Sequence, residues 1–320
     1  MGSQMLRILL SAPYMIPVFN RFKGYFGESG IEVDIPPVIE RLSAEELMPF
    51  AGQVDGAICG DDRFNPEVLE AFSPRLKVIS KWGTGVDSID RSAAERLGIQ
   101  VFRTPDAFTE AVADSVMAYM LAFARQVPWM DNRMKAGAWV KIPAVALHEC
   151  TLGVIGVGRI GKSVLKRANA FGMRLLGNDI IEIDADFLKT YQVDMLPLEG
   201  LVRSSDFVSV NCDLNPTSRH LLNEESLGMM KSSAVLINTA RGPIVDEQAL
   251  IASLQAGEIA GAGLDVYEDE PLSDDSPLRS MENVLLGSHN ANSSPSAWER
   301  VHRNTIRNLF LGLGLEPPEF

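Results

Sequence analysis

The chain has 320 residues, 46% of them hydrophobic, which is enough for about two domains of roughly 150 residues and excludes a disordered or fibrous protein. The formal net charge of -13 at pH 7 and the pI near 4.8 repel polyanions, which argues against nucleic acid as a partner. The composition favours small molecules or other proteins as partners.

The three cysteines, Cys59, Cys150 and Cys212, are odd in number and share no metal-ligand spacing. Disulfide frameworks and zinc sites need paired or regularly spaced ligands, and the chain also lacks an HxxxH pattern. We therefore expect no metal site, and a cytoplasmic location with a reducing environment.

The N-terminal apolar segment, LRILLSAPYMIPVF, contains two prolines and lacks the basic flank and cleavage site of a signal peptide. The longest strongly apolar run, residues 116–124, is far shorter than the roughly 20 residues that span a bilayer. We therefore expect no membrane association. The Gly-Ser-Gln stub before Met5 resembles a cloning remnant, a point that the sequence alone leaves open.

Short apolar runs recur along the chain with helical patterns between them, which predicts parallel α/β layers. The first series covers the first hundred residues: LRILLS, IEVDI, DGAICG, LKVIS and IQVFR. The second series begins at residue 151: TLGVIG, MRLLGND, FVSVNC, AVLINT, AGAGLDV and NVLLGS. Two series predict an α/β protein with two parallel-sheet domains.

Two further segments predict helices outside these series. The apolar stretch AFTEAVADSVMAYMLAFARQVPWM predicts one helix that Pro128 ends, buried either at an interface or in an ordinary core. The C-terminal pattern RVHRNTIRNLFLGLG predicts one amphipathic helix, which is too small to be a domain and must pack on one.

A glycine-rich turn follows the strand TLGVI and precedes a helical pattern, with glycines at 156, 158 and 161. This GxGxxG spacing allows a tight turn, close approach of pyrophosphate to the backbone, and close helix–strand packing. The strand MRLLGND then ends in Asp179, where a carboxylate binds the adenosine ribose hydroxyls. Glu182 and Asp184 follow and disfavour a 2'-phosphate, so the pattern predicts NAD; the alternative is a structural glycine turn with a surface aspartate.

Three later strands end in residues suited to catalysis, namely Arg241, Glu270 and His289, and the carboxyl ends of parallel strands face one crevice. A hydride transfer to a carbonyl needs a proton donor, a cation that binds the substrate carboxylate, and a group that orients the acid. His289, Arg241 and Glu270 meet these needs in that order. Taken singly, each could instead be an ordinary loop residue.

The chain resembles the D-isomer-specific 2-hydroxyacid dehydrogenases, which include D-lactate, glycerate and 3-phosphoglycerate dehydrogenases. The resemblance covers nearly the whole chain and rests on five motifs in order: KWGTGVDSID, TEAVADSVMAYMLAFAR, GVIGVGRIG, MKSSAVLINTARGPIVDEQAL and GAGLDVYEDEP.

This resemblance implies roles for individual residues. It implies His289 as the acid–base, Glu270 as its partner and Arg241 as the third catalytic residue. The backbone amides of Thr84 and Gly85 would bind the substrate carboxylate together with Arg241. The implied cofactor-binding set comprises Gly156, Gly158, Arg159, Ile160, Gly161, Asp179, Cys212, Thr239, Ala240, Arg241 and Asp265.

The resemblance also implies two Rossmann- or flavodoxin-like domains. Residues 1–104 and 290–320 would form the substrate domain, and residues 105–289 would form an inserted NAD-binding domain. A homodimer is implied, with residues 109–130 at its interface. Two departures, Asn211-Cys212-Asp213 in place of His-x-Pro and NANSS after His289, concern the cofactor edge and substrate preference.

Two functions from different classes follow. The first is an NAD-dependent oxidoreductase that interconverts a D-2-hydroxy acid and its 2-oxo acid, similar to phosphoglycerate dehydrogenase. The second is an NAD(H)-sensing scaffold that resembles the C-terminal-binding corepressors, since a shared fold does not fix function.

Overall fold

The computed structural model describes residues 5–320, so the Gly-Ser-Gln stub lies outside the described part of the chain. The described residues form two compact units. Residues 5–107 together with Ser294–Phe320 form the first unit, and Phe108–Ser293 forms the second.

The first unit is built on a parallel five-stranded sheet with the strand order β2-β1-β3-β4-β5. Its central strands are buried on both faces, as their continuous runs of apolar residues predict. The strands are β1 (Leu6–Leu10), β2 (Ile31–Asp34), β3 (Gly56–Cys59), β4 (Val78–Lys81) and β5 (Gln100–Phe102). The helices are α1 (Lys23–Glu28), α2 (Ala44–Leu47), α3 (Pro66–Phe72) and α4 (Arg91–Arg96), with 3-10 helices at Ile16–Arg21 and Met48–Phe50.

The C-terminal helix α12 (Pro295–Gly312) belongs to the first unit and packs against β3 and β4. It buries an apolar face that includes Val301, Ile306 and Leu309. The packing is close, because a Cβ added at Gly56 in β3 would lie 2.9 Å from the Leu309 side chain. The predicted amphipathic helix is thus present, and the residues that come last in sequence complete the core of the first unit.

The second unit is built on a parallel seven-stranded sheet with the order β12-β11-β10-β9-β6-β7-β8. Strand order reverses between β6 and β9, which creates a crevice at the carboxyl ends of these strands. The strands are β6 (Thr151–Ile155), β7 (Arg174–Asn178), β8 (Val193–Met195), β9 (Phe207–Val210), β10 (Val235–Asn238), β11 (Gly261–Leu264) and β12 (Val284–Leu286). The two parallel sheets confirm the predicted fold class.

The helices of the second unit cover its sheet. They are α5 (Thr109–Arg125), α6 (Val127–Lys135), α7 (Arg159–Ala170), α8 (Ala185–Tyr191), α9 (Leu198–Ser204), α10 (Glu224–Gly228) and α11 (Glu247–Ala256). Three 3-10 helices join them, at Leu147–Glu149, Gly242–Ile244 and Pro277–Ser280. Over residues 5–320, no helix has the length and apolarity that a membrane crossing requires.

The prediction that Pro128 ends the helix predicted from AFTEAVADSVMAYMLAFARQVPWM was wrong. Helix α5 already ends at Arg125, and Gln126 adopts a left-handed conformation with φ of 57°. Pro128 instead lies in the first turn of α6, where its missing N–H costs no hydrogen bond. The proline therefore starts a second helix.

Candidate active site

The glycine-rich turn links β6 to α7 and has no room for side chains at two of its three glycines. Gly156 has a φ of 88°, and a Cβ there would lie 2.5 Å from the backbone nitrogen of Cys212. A Cβ at Gly161 would overlap the carbonyl oxygen of Gly156. Gly158 is the N-cap of α7 and has open space around it. The helix N-terminus therefore presents its amide groups beside an open turn, the arrangement that binds pyrophosphate.

Asp179 ties the end of β7 to this turn. Its Oδ2 accepts a hydrogen bond of 2.7 Å from the backbone N–H of Val157, and its Oδ1 accepts one of 3.1 Å from Ile181. Each carboxylate oxygen retains a further lone pair. Asp179 can therefore hold the loop and still accept hydrogen bonds from ribose hydroxyls.

The ends of β9 and β10 carry buried polar atoms that suit a dinucleotide. Asn211 donates to the carbonyl and hydroxyl oxygens of Ser209, while its own Oδ1 is buried without a partner among the described residues. The buried Thr239 hydroxyl likewise has no partner within that part of the chain. A buried polar atom without a hydrogen bond destabilises the folded chain by about 1–3 kcal/mol, so we expect a polar group from outside the chain to form hydrogen bonds with these atoms.

Cys212 lies at the same edge and packs against the glycine turn. Burial raises the pKa of its thiol to about 11, so the side chain is neutral near pH 7. This favours an apolar contact with the cofactor over nucleophilic chemistry.

Arg241 lies in a turn after β10. The side chain of Asn238, the last residue of that strand, stabilises this turn with two hydrogen bonds. The Asn238 side chain accepts a hydrogen bond from Ala240 N at 3.1 Å and donates one to the Arg241 carbonyl at 2.9 Å. The next residue, Gly242, has no Cβ to separate this turn from the backbone of Tyr267. The Arg241 turn therefore rests directly on the loop that follows β11.

Glu270 and His289 form a hydrogen-bonded pair, as the sequence suggested. Glu270 Oε2 lies 2.9 Å from His289 Nδ1, and the two side chains are only 11% and 18% exposed. The other carboxylate oxygen, Oε1, accepts a hydrogen bond from the Tyr267 backbone at 3.0 Å. Since a carboxylate can only accept a hydrogen bond, the proton belongs on Nδ1, and Nε2 is the ring atom that can exchange a proton with a bound ligand.

Asp265 holds the turn that carries His289. Its buried carboxylate accepts hydrogen bonds from Asn290 N at 3.0 Å and Ala291 N at 2.7 Å, and its carbonyl accepts one from His289 N at 2.8 Å. Burial raises the pKa of the Asp265 carboxyl, and the Ala291 and Asn290 amides oppose this rise. This structural role could not be predicted from sequence, because donor and acceptor are 25 residues apart and meet only in the fold.

In the first unit, Thr84 and Gly85 lie in the turn after β4. The Thr84 hydroxyl donates to the Thr104 carbonyl at 3.0 Å, which holds the turn against the end of β5. Trp82 beside it is 4% exposed and donates from Nε1 to His302 Nδ1 at 2.9 Å. Trp82 is therefore a core residue of the first unit.

The structure thus brings together, within the second unit, the glycine turn, Asp179 and the Arg241, Glu270 and His289 side chains at the carboxyl ends of five strands. Thr84 and Gly85 lie in the first unit. From the sequence, Asn211 was identified only as a departure at the cofactor edge, and His220, which forms a second histidine–carboxylate contact, with Glu268, was missed.

Comparisons with known proteins agree with this arrangement. Residues 117–291 match the NAD binding domain of the D-isomer specific 2-hydroxyacid dehydrogenases. The chain is 41% identical to a glyoxylate reductase of Korarchaeum cryptofilum over 254 residues, which are 78% of this chain and 76% of the relative. It is 36% identical to a hydroxypyruvate reductase of Thermotoga maritima over 281 residues, 86% of this chain and 90% of the relative.

The fold of the chain is also similar to that of a solved structure. The D-lactate dehydrogenase of Aquifex aeolicus, complexed with NAD and lactic acid, superposes with a TM-score of 0.82 at 28% identity, covering 93% of this chain and 92% of that one. NAD is accordingly the cofactor that the buried polar atoms and the glycine turn accommodate. The chain belongs to the D-isomer specific 2-hydroxyacid dehydrogenase family and is an NAD-dependent oxidoreductase that acts on a CH–OH group.

Proposed function

We propose that the chain reduces short, unphosphorylated 2-oxo acids of the glyoxylate and hydroxypyruvate type to 2-hydroxy acids. The names of the relatives support this choice of substrate, since they are a glyoxylate reductase and a hydroxypyruvate reductase. Activity on phosphoglycerate stays a prediction from sequence. The scaffold alternative is not favoured, because these relatives are named as enzymes.

The hydrogen-bonded pair of Glu270 and His289 carries the proposal. Glu270 holds the ring through Nδ1, which assigns the proton exchange with the substrate to Nε2, and its carboxylate, 2.9 Å from Nδ1, stabilises the charged imidazolium. His289 donates the Nε2 proton to the carbonyl oxygen as the alkoxide develops, and it accepts that proton in the reverse direction. NADH, when bound, supplies the hydride.

Arg241 and the turn of Thr84 and Gly85 are proposed to bind the substrate. The guanidinium is planar and presents paired donors that match a carboxylate, and it also stabilises negative charge on the carbonyl oxygen. The backbone amides of Thr84 and Gly85 would bind the same carboxylate. The hydrogen bond between Thr84 and Thr104, which holds that turn, supports this role.

The cofactor is proposed to lie along the carboxyl edge of the second sheet. The amides at the glycine turn, Arg159 and Ile160 would bind the pyrophosphate, and Asp179 the ribose. Thr239, Ala240, Cys212 and Asp265 would line the remaining length. Because acidic Glu182 and Asp184 follow Asp179, we propose a preference for NADH over NADPH.

The test is NADH oxidation across a panel of 2-oxo acids: glyoxylate, hydroxypyruvate, phosphohydroxypyruvate, pyruvate and a branched acid, with NADPH run in parallel. We expect the highest kcat/KM with glyoxylate or hydroxypyruvate and lower values with NADPH. Highest activity on phosphohydroxypyruvate would contradict the proposed substrate class. No turnover of any acid, with NADH still bound, would contradict the reductase itself.

A further inference from the structure

His220 lies in the segment between β9 and α10 and belongs to neither the acid–base pair nor the proposed cofactor-binding set. Its Nε2 lies 2.5 Å from Glu268 Oε1. Its backbone N–H donates a hydrogen bond of 2.9 Å to the carbonyl of Pro243. One residue therefore contacts two different loops.

These two loops carry two of the proposed catalytic residues. Pro243 follows Arg241 by two positions, and Glu268 precedes Glu270 by two positions. The loops also touch directly, because a Cβ at Gly242 would overlap the backbone of Tyr267. A shift of either loop against the other would change how Arg241 faces the Glu270–His289 pair.

The backbone of His220 is held in an uncommon conformation. Its φ of 49° lies in the left-handed region, which is sterically unfavourable for a residue other than glycine. Such conformations persist where the surroundings determine them, and they cluster at functional sites. The contacts with Pro243 and Glu268 help to hold His220 in this conformation.

Acidic groups surround the imidazole. Asp246 Oδ2 lies 3.9 Å from its Nδ1, and Glu247 accepts a hydrogen bond of 3.0 Å from the backbone N–H of Glu268. Burial raises the pKa of the Glu247 carboxyl, and Glu268, Asp269 and Glu270 repel its charge. The hydrogen bond from His220 therefore stabilises the Glu268 carboxylate beside its acidic neighbours.

We propose that His220 is a positioning residue for the reaction, which fixes the Arg241 loop and the Glu270 loop relative to each other. The inference rests on the proposed catalytic roles of Arg241, Glu270 and His289. Tyr267 provides the link to the reacting groups, because its N–H binds Glu270 Oε1 while the neighbouring Glu268 is held by His220. Catalytic groups need placement to within about 0.5 Å, and an error of 1 Å can cost about 100-fold in rate.

The test compares His220→Ala with His220→Gln, which places a side-chain N–H near the position of Nε2. For His220→Ala we expect kcat with the best 2-oxo acid to fall about 10- to 100-fold and its KM to rise, because misplacing the reacting groups by up to 1 Å costs up to about 100-fold in rate. We expect the Kd for NADH to change less than twofold, and His220→Gln to recover most of the activity. The matched control is His148→Ala, which removes an exposed histidine of the same unit.

A double-mutant cycle adds a second readout. If His220 acts through Glu268, the double variant of His220→Ala and Glu268→Ala loses no more activity than the more impaired single variant. Additive losses, unchanged kcat in His220→Ala, or equal losses of NADH affinity and kcat would overturn the inference. If His220→Ala fails to fold, His220→Gln and Glu268→Gln supply the comparison, because the first keeps a donor and the second keeps an acceptor. Losses of kcat above tenfold in both variants would overturn the inference that this hydrogen bond positions the loops.

Failure of this inference is distinguishable from failure of the proposed function. Loss of turnover in His289→Ala with normal turnover in His220→Ala would overturn only the role of His220. Normal turnover in His289→Ala would overturn the acid–base assignment on which that role rests.

Discussion

At the scale of single residues, the proposed acid–base depends on a turn that a buried carboxylate holds. Asp265 uses both oxygens to accept the amides of Asn290 and Ala291, directly after His289. Two residues therefore orient His289, the proposed acid–base: Glu270 contacts its ring, and Asp265 accepts a hydrogen bond from its backbone.

Asp265→Asn tests this support. An amide group keeps one acceptor and sets an NH2 group against a backbone N–H, so we expect a loss of about 1–3 kcal/mol in the free energy of unfolding. We also expect kcat to fall at least tenfold. Urea denaturation and steady-state kinetics check both, with the fully exposed Asp274→Asn as the control. Unchanged kcat in Asp265→Asn would contradict this role.

His302 is a residue whose burial makes stability depend on pH. Burial lowers the pKa of its imidazole to about 4, and Trp82 Nε1–H uses the Nδ1 lone pair. In the unfolded chain the pKa returns to near 6.5. The unfolded state therefore binds more protons between pH 4 and 6.5, and the folded state loses stability as the pH falls through that window.

We expect His302→Asn, which keeps an acceptor near the position of Nδ1 but cannot titrate, to flatten this dependence. The slope of the unfolding free energy against pH should decrease by up to one proton, about 1.4 kcal/mol per pH unit. Urea denaturation between pH 4.5 and 6.5 measures the slope. Equal slopes for His302→Asn and wild type, or the same change in the exposed His148→Asn, would contradict the role of burial.

At the scale of elements, Gly161 and Gly158 of the glycine-rich turn are small for different reasons. Gly161 allows α7 to approach β6, whereas Gly158 has no neighbouring atom of the chain to clash with an added Cβ. The sequence pattern GVGRIG does not reveal this difference, because all three glycines fit the same motif.

We expect Gly161→Ala to lower the melting temperature and to weaken NADH binding, because its Cβ would overlap the Gly156 carbonyl. Gly158→Ala should leave the melting temperature unchanged and weaken NADH binding only, since its Cβ faces the proposed pyrophosphate site. Thermal denaturation and NADH fluorescence titration separate the two effects. Equal loss of stability in both variants would contradict this distinction.

Most strands were predictable from sequence because buried parallel strands leave continuous apolar runs such as AVLINT. Strand β8 was not predicted, because its three residues VDM lie at a sheet edge and only Val193 is buried. The turn at Gln126 was not predicted, because a glutamine does not indicate a left-handed backbone conformation. The positions of Glu270 and His289 at strand ends were readable, whereas the supports from Asp265 and His220 depend on contacts distant in sequence.

At the scale of the whole molecule, residues 127–145 carry exposed apolar side chains. Val127 is 58% exposed, Met134 46% and Trp139 87%. Large apolar side chains that stay exposed are candidates for burial at an interface. We propose a second copy of the chain as the partner, which agrees with the homodimer expected from sequence and extends the predicted interface, residues 109–130, towards Trp139.

The mass in solution tests this assembly. We expect a dimer of two 35.0 kDa chains by size-exclusion chromatography with light scattering, and a shift towards monomer in Trp139→Asp combined with Met134→Asp. The control is Ile180→Asp, which removes an 81% exposed apolar side chain outside this segment. A monomeric wild type would contradict the proposal.

The most direct measurement of the central claim is the rate of NADH oxidation by His289→Gln with the best 2-oxo acid, alongside NADH binding. A positioned general acid contributes about 100- to 10,000-fold, so we expect kcat to fall within that range while the Kd for NADH stays within twofold of wild type. His148→Gln, an exposed histidine of the same unit, should retain full activity. A His289→Gln variant with wild-type kcat would show that the Glu270–His289 pair is not the acid–base of this enzyme.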